Sequence, residues 1–267
     1  MKKNLINLIP VFISVFLMIS VMVISMFIQP LKTRENQINE TESQVSVTAI
    51  ETAVLKNSNN EEEMRAVWIP YMSLNMNGTD RSEKAFQKKF DTILENCIKH
   101  KLNTIIIHIR PNGDSLYPSK YFPWSDILTG TQGKNPGYDP LKYIIQTAHD
   151  KNIAVHAWIN PLRIRFSKTP SALSSDNPYM IWKNNDRYTF QSGKNIYYNP
   201  AYSEVRELII NGVREVVQNY AVDGIHFDDY FYPENDIKCD ETDYKEYLAT
   251  VDENYLPLSH SEWRKAN

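Results

Sequence analysis

Cysteine is scarce in this chain: Cys97 and Cys239 are the only two in 267 residues. They stand far apart with no ligand-type spacing, so neither a disulfide framework nor a cysteine-built metal site finds support. Cys97 falls on an apolar helical stripe and reads as core. A strong charge of either sign is also missing. The net charge is −3 and the pI near 6.1, and no nucleic-acid partner is expected from such a balance. No glycine-rich phosphate loop follows any apolar run, which argues against a nucleotide-binding Rossmann sheet. No segment recurs at a fixed period, so a solenoid is not expected. What is present is an ordinary globular composition, 42% hydrophobic and 23% charged. Aromatic residues make up 12%, with 16 tyrosines; this fits a carbohydrate-facing surface only weakly, because tyrosine also packs cores.

The chain opens with Lys2 and Lys3 and then runs without charge over residues 5–28. A secretory apolar region is usually about 7–15 residues, whereas a membrane span needs about 20. No small-x-small cleavage site ends the run and no cysteine follows to take a lipid. Residues 1–30 are therefore expected to form an uncleaved signal anchor, a transmembrane helix that attaches the protein to the cell membrane through residues 5–28. Cleavage would instead make the protein secreted. Residues 31–63 hold no aromatic residue and no helical stripe, the composition of a disordered polar linker. Residues 64–267 are expected to be the folded domain, on the extracytoplasmic side.

Within that domain four apolar runs read as strands: 65–70, 104–110, 153–161 and 222–228. They are nearly continuous in apolar residues, as strands buried on both faces are. Helical stripes stand between them. Phe86, Phe90, Ile93, Leu94, Cys97 and Ile98 follow Ser82 as N-cap; Leu141, Ile144, Ile145 and Ala148 follow Asp139-Pro140; Val205, Leu208, Ile209, Val213, Val216, Val217 and Tyr220 follow Asn199-Pro200. A hairpin is expected around residues 191–194. Strands alternating with helices predict an α/β domain on a parallel sheet. The long aromatic loops after the strands favour a TIM-type (β/α) barrel. A full barrel takes about 250 residues, so about four to five of its eight strands are expected here, an incomplete barrel.

The residues able to do chemistry collect at the C-terminal ends of these strands, where barrels and doubly wound sheets keep their sites. The richest stretch is residues 222–233, a strand that ends in Asp228, Asp229 and three aromatic rings. Carboxylates there can serve as nucleophile, base or acid, and rings can hold a sugar. Asp228 is the stronger catalytic candidate. By strand alternation Asp229 faces the other way unless the chain bends, and it is kept as the second. Arg110 ends the second strand, where it could pair with Asp228 and keep it ionised, or serve as a structural ion pair. Asn160 could hydrogen-bond a sugar hydroxyl or satisfy backbone groups before Pro161, and Trp158 could stack on a ring or pack as core. His156, His226 and Tyr230 complete the substrate-binding candidates. His108, His156 and His226 lie on three successive strands and, with Asp228, form a rival metal-binding reading, although no close ligand spacing supports it. A third reading is a non-catalytic glycan-binding domain on a membrane anchor. No cofactor and no metal is expected under the leading reading.

Residues 64–69 (Met-Arg-Ala-Val-Trp-Ile), 105–119 (Ile-Ile-Ile-His-Ile-Arg-Pro-Asn-Gly-Asp-Ser-Leu-Tyr-Pro-Ser), 155–161 (Val-His-Ala-Trp-Ile-Asn-Pro) and 223–233 (Asp-Gly-Ile-His-Phe-Asp-Asp-Tyr-Phe-Tyr-Pro) together resemble the glycosyl hydrolase-like 10 family. The closing residues 262–267 look like that family's next helix. The resemblance implies a TIM-barrel glycoside hydrolase of the bacterial cell envelope that acts on peptidoglycan glycan strands stripped of peptide. The Asp-Gly-Ile-His-Phe-Asp order at 223–228 is also similar to the fourth strand of alpha-amylase-type barrels. There the last Asp is the nucleophile, which points to Asp228 over Asp229.

Overall fold

The computed structural model describes residues 63–182, 184–185, 187–232 and 239–267. The expected signal anchor, nearly all of the polar linker, and Pro233 lie outside the described residues. No helix among the described residues is long and apolar enough to cross a membrane. Residues 64–267 form one compact unit.

Four parallel strands make its main sheet: β1 (Ala66–Ile69), β2 (Thr104–Arg110), β3 (Ala154–Ile159) and β7 (Gly224–Phe227), hydrogen-bonded in the order β1-β2-β3-β7. Each is the apolar run expected from the sequence. Helix α1 (Glu83–Lys99) joins β1 to β2. Its N-cap is Ser82, whose side chain accepts from the Ala85 N–H. Helix α2 (Asp126–Thr129) is a single short turn in the loop after β2. Helix α3 (Pro140–His149) starts as the sequence indicates, with Asp139 accepting from the Lys142 N–H at 3.0 Å and proline in the first turn.

The long excursion after β3 builds a second, antiparallel sheet. Strand β4 (Arg163–Arg165) is followed by helix α4 (Pro178–Trp182), β5 (Thr189–Ser192) and β6 (Asn195–Tyr198), in sheet order β4-β6-β5. The hairpin expected at 191–194 is the β5–β6 turn, with Ser192 opposite Asn195 and Gly193 at φ 58°. Helix α5 (Ser203–Asn219) then leads to β7. Its start differs from the expected one. Asn199 does not cap it; the Asn199 side-chain oxygen accepts from the Ala201 N–H and its amide donates to the Arg187 carbonyl, a local turn that delays the helix. After β7 come α6 (Glu241–Thr250) and α7 (His260–Ala266), the latter opened by a Ser259–Glu262 capping box.

The parallel sheet has one covered face. Ile105, Ile107, Ile109, Val155, Ala157 and Ile159 alternate along β2 and β3, all with 0% exposure. They pack with Phe86, Phe90 and Leu94 of α1, Leu141, Ile144 and Ala148 of α3, and Val216 of α5. Each buried Leu or Ile of this layer contributes roughly 1.5–3 kcal/mol of transfer free energy. Among the described residues the sheet does not close: β1 and β7 pair on one side each.

Candidate active site

The other face of the sheet carries the rings. Period-two alternation and the pairing register bring Trp68, Ile106, His108, His156, Trp158 and His226 to it. The rings interlock. His108 stacks on Trp158 at 3.7 Å between centroids with planes 8° apart. Trp68 meets Trp158 edge-on at 4.9 Å and His226 edge-on at 4.2 Å. Tyr71 reaches the His108 ring at 5.6 Å. His156 lies one layer deeper, opposite Gly224; a Cβ on Gly224 would stand 2.9 Å from its ring, so the close approach requires glycine. Trp68 keeps 45% exposure.

At the C-terminal rim this ring surface meets polar groups. The Trp158 indole donates to the Asn160 side-chain oxygen at 3.0 Å, and the Asn160 amide donates to the Pro111 carbonyl at 3.2 Å. Asn160 is 1% exposed, so this framework spends its hydrogen bonds on the protein. His108 has no partner on either ring nitrogen and is 1% exposed. Burial, and then the nearby Arg163 charge, push its pKa down to about 2, which leaves a neutral imidazole at physiological pH.

Asp228 follows the last residue of β7, its N–H donating to the Ile159 carbonyl at 3.2 Å. By strand alternation it belongs to the side of His226. Asp229 does not continue the strand. Its φ is 55°, in the left-handed region, and its carboxylate meets the Arg163 guanidinium at 2.7 Å. The bend turns the second acid toward β4. Arg163 also donates from Nε to the Pro111 carbonyl at 2.9 Å.

Two sequence-based candidates lie elsewhere. Arg110 is not beside Asp228. The β2–β3 register shifts between His108 and Arg110, so Arg110 pairs with Ile159, a residue of the covered face. A one-residue slip reverses the direction of a side chain. Arg110 is 1% exposed, with its guanidinium 3.8 Å from the Phe122 ring centroid and close to Gly212 of α5. Burial lowers its pKa, while Tyr117, Tyr198 and Glu215 nearby favour the cation. Its role here is structural, inside the packing between sheet and α5. Tyr230 is 61% exposed and lines a groove with Phe227, Phe231, Leu162 and Ile209, on the opposite side of β7 from His226.

The three strand histidines do not converge. His108 lies against Trp158, His226 against Trp68 and His156 against Gly224. Among the described residues, no group of three or more His, Cys, Asp or Glu side chains is placed to hold a metal ion.

Trp68, Tyr71 and Arg163 are the site residues that sequence reasoning passed over. Trp68 had a usable signal, since it occupies the central position of a strand whose neighbours already supplied the ring face. Arg163 had none, because the path of the excursion after β3 decides where it falls.

A parallel α/β sheet with carboxylates just past a strand's C-terminal end, above a face of aromatic and imidazole rings, has the form of a barrel-type carbohydrate-active domain. The profile of the family Glycosyl hydrolase-like 10 matches residues 63–267, and the chain belongs to that family. Among curated proteins it is similar to Glycosyl hydrolase YngK of Bacillus subtilis (strain 168), 35% identical over 230 residues, covering 84% of this chain and 43% of that protein. It is also similar to Glycosyl hydrolase DigH of Escherichia coli (strain K12), 35% identical over 213 residues, covering 76% of this chain and 47% of that one. The chain thus spans less than half the length of these relatives. Among solved structures, a maltogenic alpha-amylase, AmyB of Thermotoga neapolitana, aligns with a TM-score of 0.41 at 15% identity over 70% of this chain and 44% of its own. An alpha-amylase of Geobacillus thermoleovorans aligns with a TM-score of 0.42 at 12% identity over 63% and 41%. Likeness at that level carries no argument about mechanism.

Proposed function

We propose that this domain hydrolyses glycosidic bonds in a cell-envelope polysaccharide, with peptidoglycan glycan strands freed of peptide as the substrate class. The observation that carries the reading is the position of Asp228, at the C-terminal end of β7 and on the ring-bearing side of the sheet, in a chain of a glycosyl hydrolase-like family. Asp228 acts as the nucleophile or as the base that activates water, and the neighbouring rings of Trp68, Trp158 and His226 bind sugar faces. His156 shapes the floor beneath them. Residues 5–28 hold the domain at the outer face of the cell membrane, close to that substrate; shaving intact cells with protease should then remove the folded domain.

The decisive experiment incubates the full chain with peptide-free glycan strands and measures soluble sugars released. Asp228→Asn should lower turnover roughly 100-fold or more, since it keeps the shape but removes the charge that a nucleophile or base needs. Undiminished turnover in that variant would end the catalytic assignment. Activity lost to a chelator and restored by a divalent cation would favour the metal reading. The 45% exposure of Trp68 also suits a second reading, a glycan-binding domain without catalysis. Binding of the same strands by the wild-type chain with no release of sugar would select it.

A further inference from the structure

We propose that Arg163 is a positioning residue of the site, clamping Asp229 in its left-handed turn and thereby fixing where the adjacent Asp228 carboxylate is held. The proposal rests on the reading of Asp228 as the reacting carboxylate.

The geometry that supports it begins with the backbone. Asp229 has φ 55°, a conformation that L-residues visit rarely and aspartate more readily than most. Asp228 and Asp229 share one peptide plane, so a return of Asp229 to extended backbone must be taken up by the chain beyond Asp229 or by the backbone of Asp228, and the second would shift the Asp228 carboxylate. Something must hold the bend. The Asp229 carboxylate meets the Arg163 guanidinium in an ion pair, Oδ2 to Nη1 at 2.7 Å.

Arg163 is itself fixed. Its Nε donates to the Pro111 carbonyl at 2.9 Å, and the same oxygen accepts from Asn160 at 3.2 Å. Asn160 accepts from the Trp158 indole at 3.0 Å, and Trp158 stacks on His108. A path of one ion pair and three hydrogen bonds therefore runs from Asp229 through Arg163 and the residue after β2 to the ring face. The strand under Arg163 is braced as well. Arg163 pairs with Tyr197 of β6, Ile164 is 0% exposed, and its carbonyl accepts from the Gly113 N–H at 3.1 Å. The antiparallel sheet inserted after β3 thus has a task, which is to present one guanidinium at the end of β7.

The groups around Arg163 leave it free to act as the counter-charge. The Asp229 carboxylate faces it, the Phe166 ring lies 5.4 Å from its guanidinium carbon, and the buried His108 imidazole is uncharged at neutral pH. The pair is partly wet, 13% and 33% exposed, and ion pairs of that kind add little to folding. Its consequence is geometric.

The test uses the full chain with Arg163→Gln, Arg163→Lys, Asp229→Asn and the Arg163→Gln/Asp229→Asn double variant. Kinetics are measured on peptide-free glycan strands, and the Arg163→Gln crystal structure is determined. Arg163→Gln should lower kcat about 10- to 100-fold, leave KM within about twofold and keep a cooperative melt. Its structure should show Asp229 out of the left-handed region. Arg163→Lys keeps the charge without the fork and should recover part of kcat. The double variant should be no worse than the worse single one, because both act through one contact. Asp229 unmoved in the Arg163→Gln structure would overturn the proposal, and so would wild-type kcat in that variant. If the wild-type chain releases no sugar, the catalytic reading fails by itself, and the position of Asp229 in the variant structure still decides whether Arg163 clamps it. If Arg163→Gln does not fold, the Arg163→Met structure, which also removes the charge, answers the same question.

Discussion

The two faces of the parallel sheet are made from the same strands, one residue out of step, and they obey different rules. On the covered face Ile105, Ile107, Ile109, Val155, Ala157 and Ile159 are aliphatic or small and fully enclosed by α1, α3 and α5. On the other face the same strands present His108, His156, Trp158 and, from the flanking strands, Trp68 and His226, several of them partly open to solvent. Aliphatic side chains fill space without polar demands, so they suit a layer sealed by helices. Indole N–H groups need partners or water, and Trp158, which donates to Asn160, and Trp68, which stays open, have them. Substitutions on each side should therefore fail in different ways.

The largest expected effect comes from Arg110, the polar residue that crossed to the covered side. Arg110→Ala would leave a hole beside Phe122 and remove a cation near Glu215; it should cost roughly 3–5 kcal/mol in denaturant unfolding. If the variant instead melts like wild type and only KM rises, Arg110 belongs to the substrate after all and the contrast between the faces breaks.

A pH effect comes next. Asp114 is 0% exposed, and burial pushes its pKa up to about 7. The folded domain therefore holds this proton more tightly than the unfolded chain does. The stabilisation that follows is complete below pH about 4 and is lost as pH rises through about 7. Stability measured by denaturant should fall across that window. Asp114→Asn, which can still accept from Gln132, should flatten the fall. An unchanged profile in the variant would assign the pH dependence to another group.

Gly212→Ala should cost roughly 1–3 kcal/mol, because the added methyl would stand 2.6 Å from a Phe122 ring carbon and press on Arg110. The same measurement would report whether the covered side is as tightly filled beneath α5 as it is beneath α1.

The smallest change in stability is expected on the open side. Trp68→Ala should cost about 1 kcal/mol, the worth of its edge contacts to Trp158 and His226. Calorimetry with peptide-free glycan strands should show a clear loss of affinity in the same variant. A large drop in melting temperature with unchanged glycan binding would place Trp68 with the core and remove the contrast.

Much of this arrangement was readable before any fold was known. The four apolar runs became the four parallel strands, the caps at Ser82 and Asp139 opened α1 and α3, and Gly193 turned the β5–β6 hairpin. Strand alternation put His226 on the ring-bearing side. Less readable were the sides on which Arg110 and Tyr230 fall, and the start of α5 three residues beyond the Pro200 signal. Arg110 turned because β2 and β3 slip register by one residue, and nothing in the run at 104–110 marks the slip.

The sequence by itself determined what local periodicity and capping can carry: the element order, the helix starts that a side chain caps, the aliphatic layer, and the placing of carboxylates at the end of a strand. Those follow from the backbone repeat and from hydrogen bonds that span a few residues. Tertiary structure alone decided which polar residues meet. Arg163 and Asp229 are 66 positions apart and touch because an inserted sheet folds back onto the end of β7. Contacts of that kind depend on register shifts and loop paths, which are set by the packing of the whole domain and leave no periodic trace in the chain.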